Sequence, residues 1–302
     1  MKFLLLLLLI VLHSFAEPIT PLPLTATYDA KKAKLGQELF FDTILSRDNT
    51  ISCATCHDIA NGGDDNLAFS FGINAQEGDI NSPTVLNAIF NFKQFWNGSA
   101  ENLAEQAKGP IENPIEMGHS FDKLIPILLQ TPYKKKFESL YKEGITKESI
   151  TDAIAEFEKR LITPNAPFDN YLRGDTNTIT QEQKDGYSLF KSKGCIACHH
   201  GINVGGNLYS KFGVMEDAKS KRKGRFEVTG DEADMYYFKV PTLRNIALTA
   251  PYLHDGRFET LDDTVKFMAY YQLGRAVTQK EVDKIVAFLH SLSGEIPRLN
   301  DE

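Results

Sequence analysis

Residues 53–58 read CATCHD and residues 195–200 read CIACHH. In each stretch two cysteines flank two residues, and a histidine follows at once. The 302-residue chain has four cysteines, and Cys53, Cys56, Cys195 and Cys198 account for all of them. None is left for a structural disulfide. A zinc knuckle needs further ligands at set spacings, and a thioredoxin-like dithiol has no use for the adjoining histidine. Cys-x-x-Cys-His is the attachment signal for c-type haem. The two thiols form thioethers along one edge of the ring, and the next imidazole lies under the iron. Two copies in one chain point to two covalently attached haem c groups, with His57 and His199 as proximal iron ligands.

The N-terminal residues fit that chemistry. MKFLLLLLLIVLHSFAEPIT has one lysine, an apolar run from Phe3 to Leu12 and small residues around Ala16. It reads as an export signal, residues 1–16, cleaved after Ala16. An uncleaved anchor is the rival, but the run is shorter than the roughly 20 residues of a membrane span. No later stretch is long enough to cross a bilayer, so the mature chain is expected in the periplasm. A hydrophobic content of 42% suits globular domains. The net charge of −7 argues against nucleic acid as a partner.

The chain partly repeats itself. KLGQELFFD precedes the first site and KDGYSLFKSKG the second, each with a glycine and then Leu-Phe (Leu39-Phe40 and Leu189-Phe190). HDIANGG follows the first and HHGINVGG the second. Ile150, Ile154, Phe157 and Leu161 fall on one helical face. Thr180 with Gln183, and Thr278 with Glu281, form capping boxes at helix starts. TPNAPFDNYLRGD reads as a linker or turn, and strand-like alternation is scarce. The expected fold is mainly α: two cytochrome c-like domains, residues 17–165 and 166–302, each with one haem c.

An enzyme needs one iron with an open face, and sixth ligands come mainly from His or Met. Beyond the two motifs and the export signal, the histidines are His119, His200, His254 and His290, and the methionines are Met117, Met215, Met235 and Met268. Met268 follows a turn and a short amphipathic helix in APYLHDGRFETLDDTVKFM, and spacing alone leaves it between axial ligand and core packing.

At this point LFFDTILSRDNTISCATCH, NSPTVLNA, QFWNGSAENLAEQAKGPIENPIEMG, GCIACHHG and FKVPTLRNIALTAPYLHDGRFETL together resemble the bacterial di-haem cytochrome c peroxidases, a group that includes MauG-type enzymes. The resemblance runs over nearly all of the mature chain. It implies a peroxide-reducing haem on Cys53 and Cys56 and an electron-entry haem on Cys195 and Cys198 with Met268 as axial ligand. It further implies Glu116 as catalytic acid–base, Gln106 beside it and Trp96 between the haems. Asn81, Thr249 and Pro251 match positions for one bridging calcium ion, and backbone carbonyls suit such a hard cation. The partners implied are hydrogen peroxide, a small cytochrome c or cupredoxin-like donor and a second copy in a homodimer.

The sequence departs from the family at one informative place. Many members carry a histidine that caps the peroxide-reducing iron until the other haem is reduced. Here Ile73 stands at that position, and residues 58–92 contain no His, Met, Cys, Lys or Tyr. The expectation is an N-terminal haem open without reductive activation, with His119 as the competing substitute cap. MauG-type enzymes also lack the capping histidine but use tyrosine where this chain has Met268; Tyr270 and Tyr271 lie close by. A plain two-haem electron carrier is the non-enzymatic alternative.

Overall fold

The computed structural model describes residues 17–299; the expected export signal, residues 1–16, lies outside them. The helices are α1 (Ala30–Phe41), α2 (Cys53–Cys56), α3 (Leu103–Glu112), α4 (Phe121–Leu128), α5 (Tyr133–Leu140), α6 (Lys147–Arg160), α7 (Pro167–Leu172), α8 (Gln181–Lys193), α9 (Phe226–Thr229), α10 (Leu261–Phe267) and α11 (Gln279–His290). The described strands are β1 (Tyr209–Lys211) and β2 (Tyr237–Lys239), paired antiparallel with Ser210 opposite Phe238. Among the described residues no helix is long and apolar enough to cross a membrane.

Two apolar cores organise the chain. Leu39, Phe40, Ile150, Ile154, Phe157 and Leu161 build the first, where α1 crosses α6. Phe190, Ile285, Phe288, Leu289 and Leu292 build the second, where α8 crosses α11. A glycine makes each crossing possible. A Cβ on Gly36 would strike the Ala153 carbonyl oxygen and crowd Phe157. A Cβ on Gly186 would strike the Lys284 carbonyl oxygen and crowd Phe288. The repeated Gly…Leu-Phe is thus a repeated helix–helix contact. Both expected capping boxes form, Thr180 with Gln183 and Thr278 with Glu281.

The expected linker at TPNAPFDNYLRGD is partly wrong. Pro167–Leu172 is helical, with proline at its start, where a missing N–H costs nothing. Phe168 pulls it inward, fully buried at 4.7 Å from the Tyr187 ring and 5.0 Å from that of Phe288. The terminal tails also cross over. Ile19 is buried in the second core, and the Thr20 carbonyl accepts from Arg244 at 3.0 Å. At the other end Ile296 and Leu299 lie against the first core, and the Leu299 carbonyl accepts from Gln37.

The halves are joined by a buried polar node. Asn87 and Asn245 both have left-handed backbones and are fully buried. Their side-chain amides donate to the Thr163 hydroxyl at 2.8 and 2.9 Å. The Asn87 Oδ1 accepts from the Thr163 N–H, as the Asn245 Oδ1 does from the Gly294 N–H. Each asparagine follows a Pro-Thr turn, Pro83-Thr84 or Pro241-Thr242, whose threonine hydroxyl donates back to a carbonyl of the preceding loop, Gly62 or Asn203.

Candidate active site

Both Cys-x-x-Cys-His segments are local turns that point their side chains into a cavity. In α2, Ser52 and Thr55 form a capping box, and the His57 N–H donates to the Cys53 carbonyl at 3.0 Å. The His199 N–H repeats this bond to the Cys195 carbonyl at 3.0 Å. The His57 Nδ1 donates to the Gly63 carbonyl at 3.1 Å, and the His199 Nδ1 to the Val204 carbonyl at 3.3 Å. A carbonyl partner places the proton on Nδ1 and leaves the Nε2 lone pair for iron. Burial lowers both imidazoles, His199 to about 4, so both stay neutral. Burial also pushes the thiols up, Cys53 to about 12 and Cys56 and Cys195 to about 11, unlike the thiolates of redox dithiols. All four cysteines are free, and no cluster of three or more His, Cys, Asp or Glu forms among the described residues. Two thiols and one unclaimed imidazole nitrogen per cavity fit haem c and do not fit zinc.

The N-terminal cavity, about 450 Å³, is lined by Cys53, Cys56 and His57 together with Trp96, Gln106 and Glu116. Gln106 comes from α3 and Glu116 from the loop behind it. The Asn113 amide donates to the Glu116 Oε1 at 2.6 Å, and burial raises its carboxyl above the usual range. Ile73 is fully buried and does not line this cavity. Its N–H donates to the Glu116 carbonyl at 2.8 Å, and the Gln76 amide ties the same loop to the Pro114 carbonyl at 3.2 Å. His119 is also outside the cavity lining; its Nδ1 accepts from the Ser120 N–H at 2.9 Å. Met117 forms part of the wall but is packed into the first core.

The C-terminal cavity, about 220 Å³, brings Met268 to the same space as Cys195, Cys198 and His199. Met268 opens a π-helical turn, Met268–Gln272, that directly continues α10. Such wide turns re-aim side chains at functional sites. Tyr270 and Tyr271 do not line the cavity; Tyr270 is exposed, and Tyr271 stacks on Phe267 at 4.4 Å. His254 does line it, but its Nε2 shares a hydrogen bond with the Ser220 hydroxyl at 2.8 Å.

Trp96 and Asn81 line both cavities, and Thr249 and Pro251 line the C-terminal one with them. The Trp96 Nε1 donates to the Asn81 carbonyl at 2.9 Å, and its ring lies edge-on to His254 at 6.0 Å. Two backbone bonds complete this seam. The Asn81 N–H donates to the His254 carbonyl at 2.9 Å, and the Lys239 N–H to the Trp96 carbonyl at 2.8 Å. Asn81 and Lys239 each stand two residues before a Pro-Thr, while Trp96 and His254 each follow a left-handed residue, Phe95 or Leu253. The seam is a second internal repeat. Its signal, Pro-Thr-x-x-Asn at 83–87 and 241–245, was present in the sequence. Lys239 and Glu158 also line the cavities and were not expected there.

Comparison with known proteins agrees with this geometry. Residues 30–177 match the family described as di-haem cytochrome c peroxidase. Cytochrome c peroxidase Ccp of Escherichia coli (strain K12) is 49% identical over 285 residues, 92% of this chain; the chain spans 61% of that relative's length. Cytochrome c551 peroxidase of Nitrosomonas europaea is 46% identical over 285 residues, covering 93% of this chain and 85% of that protein. Among solved structures, a MauG-like protein associated with microbial copper homeostasis superposes with a TM-score of 0.79 at 24% identity, over 92% of this chain and 93% of that one, a likeness of fold. With relatives named as peroxidases, the chain is an oxidoreductase and belongs to the di-haem cytochrome c peroxidase family.

Proposed function

We propose that the chain reduces hydrogen peroxide to water in the N-terminal cavity, with electrons entering through the C-terminal one from a small cytochrome c or cupredoxin-like donor in the periplasm. The observation that carries this reading is the placement of Glu116, a buried carboxyl in the cavity of Cys53, Cys56 and His57. When bound, the haem supplies the metal centre at which the O–O bond is cleaved. The rest of the chemistry falls to the chain. Burial keeps Glu116 basic enough to take the proton from the inner peroxide oxygen and return it to the outer one. That transfer is proton-neutral, so two protons from solvent and two electrons complete the conversion of one peroxide to two waters. Gln106 shares the cavity and can orient peroxide through its amide.

Trp96 bridges the cavities, and Met268 would hold the C-terminal iron through its thioether, a ligand type that raises the potential and suits electron entry. Asn81, Thr249 and Pro251 are proposed to hold one calcium ion at the seam. The two-domain division at residue 165, cleavage after Ala16 and homodimer assembly complete the proposal. A MauG-like oxidase gains no support from Tyr270 or Tyr271, since neither lines the cavity.

The N-terminal site works without prior reduction. Ile73 offers no lone pair, and its loop is fastened to the Glu116 loop by backbone and side-chain bonds. No imidazole other than His57 lines the cavity among the described residues. Electron paramagnetic resonance of the fully oxidised protein should show one high-spin haem, with immediate reaction with peroxide. Two low-spin haems and a lag removed by prereduction would overturn this reading.

A further inference from the structure

Lys239 closes β2 and lines the C-terminal cavity together with Cys195, Cys198, His199 and Met268. It is only 5% exposed. Among the described residues no carboxylate or carbonyl pairs with its Nζ, and burial alone acts on it, lowering it to about 8. The buried Arg244 is the contrast. It has Asp169 at 2.9 Å and the carbonyls of Ile202 and Thr20. Burying a cation with no counter-ion is strongly unfavourable, so a lysine in this position calls for an anion in the cavity.

The group that the family places there carries its own carboxylates, the two propionates of haem c. We propose that the Lys239 Nζ is the counter-ion of a propionate of the C-terminal haem, fixing that edge of the ring next to Trp96 and favouring the reduced iron. This rests on the two-haem reading. The repeat sharpens it, because the position equivalent to Lys239 in the N-terminal half is the neutral Asn81. The seam therefore gives an unpaired positive residue to one cavity and a neutral one to the other, where the lining Arg222 is already paired with Asp79 and Glu227. The backbone N–H of Lys239 bonds to the Trp96 carbonyl, so the charge sits on the same short segment as the bridge between the cavities. A cation close to a low-dielectric redox centre favours the electron-bearing state.

Lys239→Met and Lys239→Arg test this in the assembled protein. Haem is counted per chain first; a wild-type count other than two would fail the two-haem reading itself. Each haem's potential is then titrated spectroscopically. Lys239→Met should disfavour reduction of the C-terminal haem by about tenfold, about 59 mV for one electron, with a smaller change at the N-terminal haem. Lys239→Arg should restore most of the shift. If Lys239→Met loses the C-terminal haem, full haem and near-native potential in Lys239→Arg would support the pairing. An unchanged potential in Lys239→Met, or equal defects in both variants, would overturn it.

Discussion

The two halves of this chain are the same scaffold finished in two ways. Gly36 against Ala153 and Phe157 is matched by Gly186 against Lys284 and Phe288. Asn87 bonded to Leu161 and Thr163 is matched by Asn245 bonded to Leu292 and Gly294. The halves diverge between the turn after the seam residue and the closing helix. In the N-terminal half that interval runs from Gly98 to Lys147 and holds α3, α4 and α5. It delivers Gln106 and Glu116 to the cavity. In the C-terminal half the interval runs only from Gly256 to Gln279 and holds α10 and the π-turn. It delivers Met268. The length of one connection thus selects a carboxyl for one cavity and a thioether for the other.

The largest effect is expected from blunting the acid. Glu116→Gln keeps the shape and the Asn113 contact but cannot carry the proton. Peroxide turnover should fall by roughly two to four orders of magnitude, the scale of a lost acid–base group, with both haems retained. Turnover within tenfold of wild type would separate Glu116 from the chemistry. The next effect comes from erasing the axial contrast. Met268→His should lower the C-terminal potential by an appreciable part of the ~0.8 V over which axial ligands act and slow electron entry. An unchanged potential would reduce Met268 to packing.

Much of this contrast was legible before any fold was known. Cys-x-x-Cys-His is a covalent requirement with fixed spacing, so it survives in sequence as a motif. Capping boxes and the Ile150, Ile154, Phe157 face are local and periodic, and they formed as read. The seam was harder to read. Its conformations are single left-handed residues in loops, at Phe95 and Leu253, held by hydrogen bonds to the other half of the chain. No periodicity records such bonds. Lys239 and Glu158 were missed for a related reason: each is a charge in an ordinary polar position, and only the tertiary fold shows that it is buried. The tails crossed over because Ile19 and Ile296 find their apolar partners far along the chain.

The smallest effect expected is on stability, and it uses the repeat as its own control. With Phe157 equivalent to Phe288, Glu158 on α6 is the counterpart of Leu289 on α11, and each lines its cavity. Glu158 is 5% exposed, and its Oε2 finds no hydrogen-bond partner among the described residues. Burial raises its carboxyl to about 8 from an ordinary value of 4.5. The sign follows from proton binding. Between those values the folded chain holds a proton that the unfolded chain has released, so this group's contribution to stability falls as pH rises from about 4.5 to about 8, then levels off. Glu158→Leu, the residue of the other half and close in volume, should remove that slope and gain about 1–3 kcal/mol near pH 8. Urea unfolding of the haem-loaded protein at pH 5 and pH 8 measures both quantities. The reciprocal Leu289→Glu should introduce the same slope into the C-terminal half. If Glu158→Leu keeps the wild-type pH slope, Glu158 already has a partner in the loaded cavity, and the two positions differ in function as well as in charge.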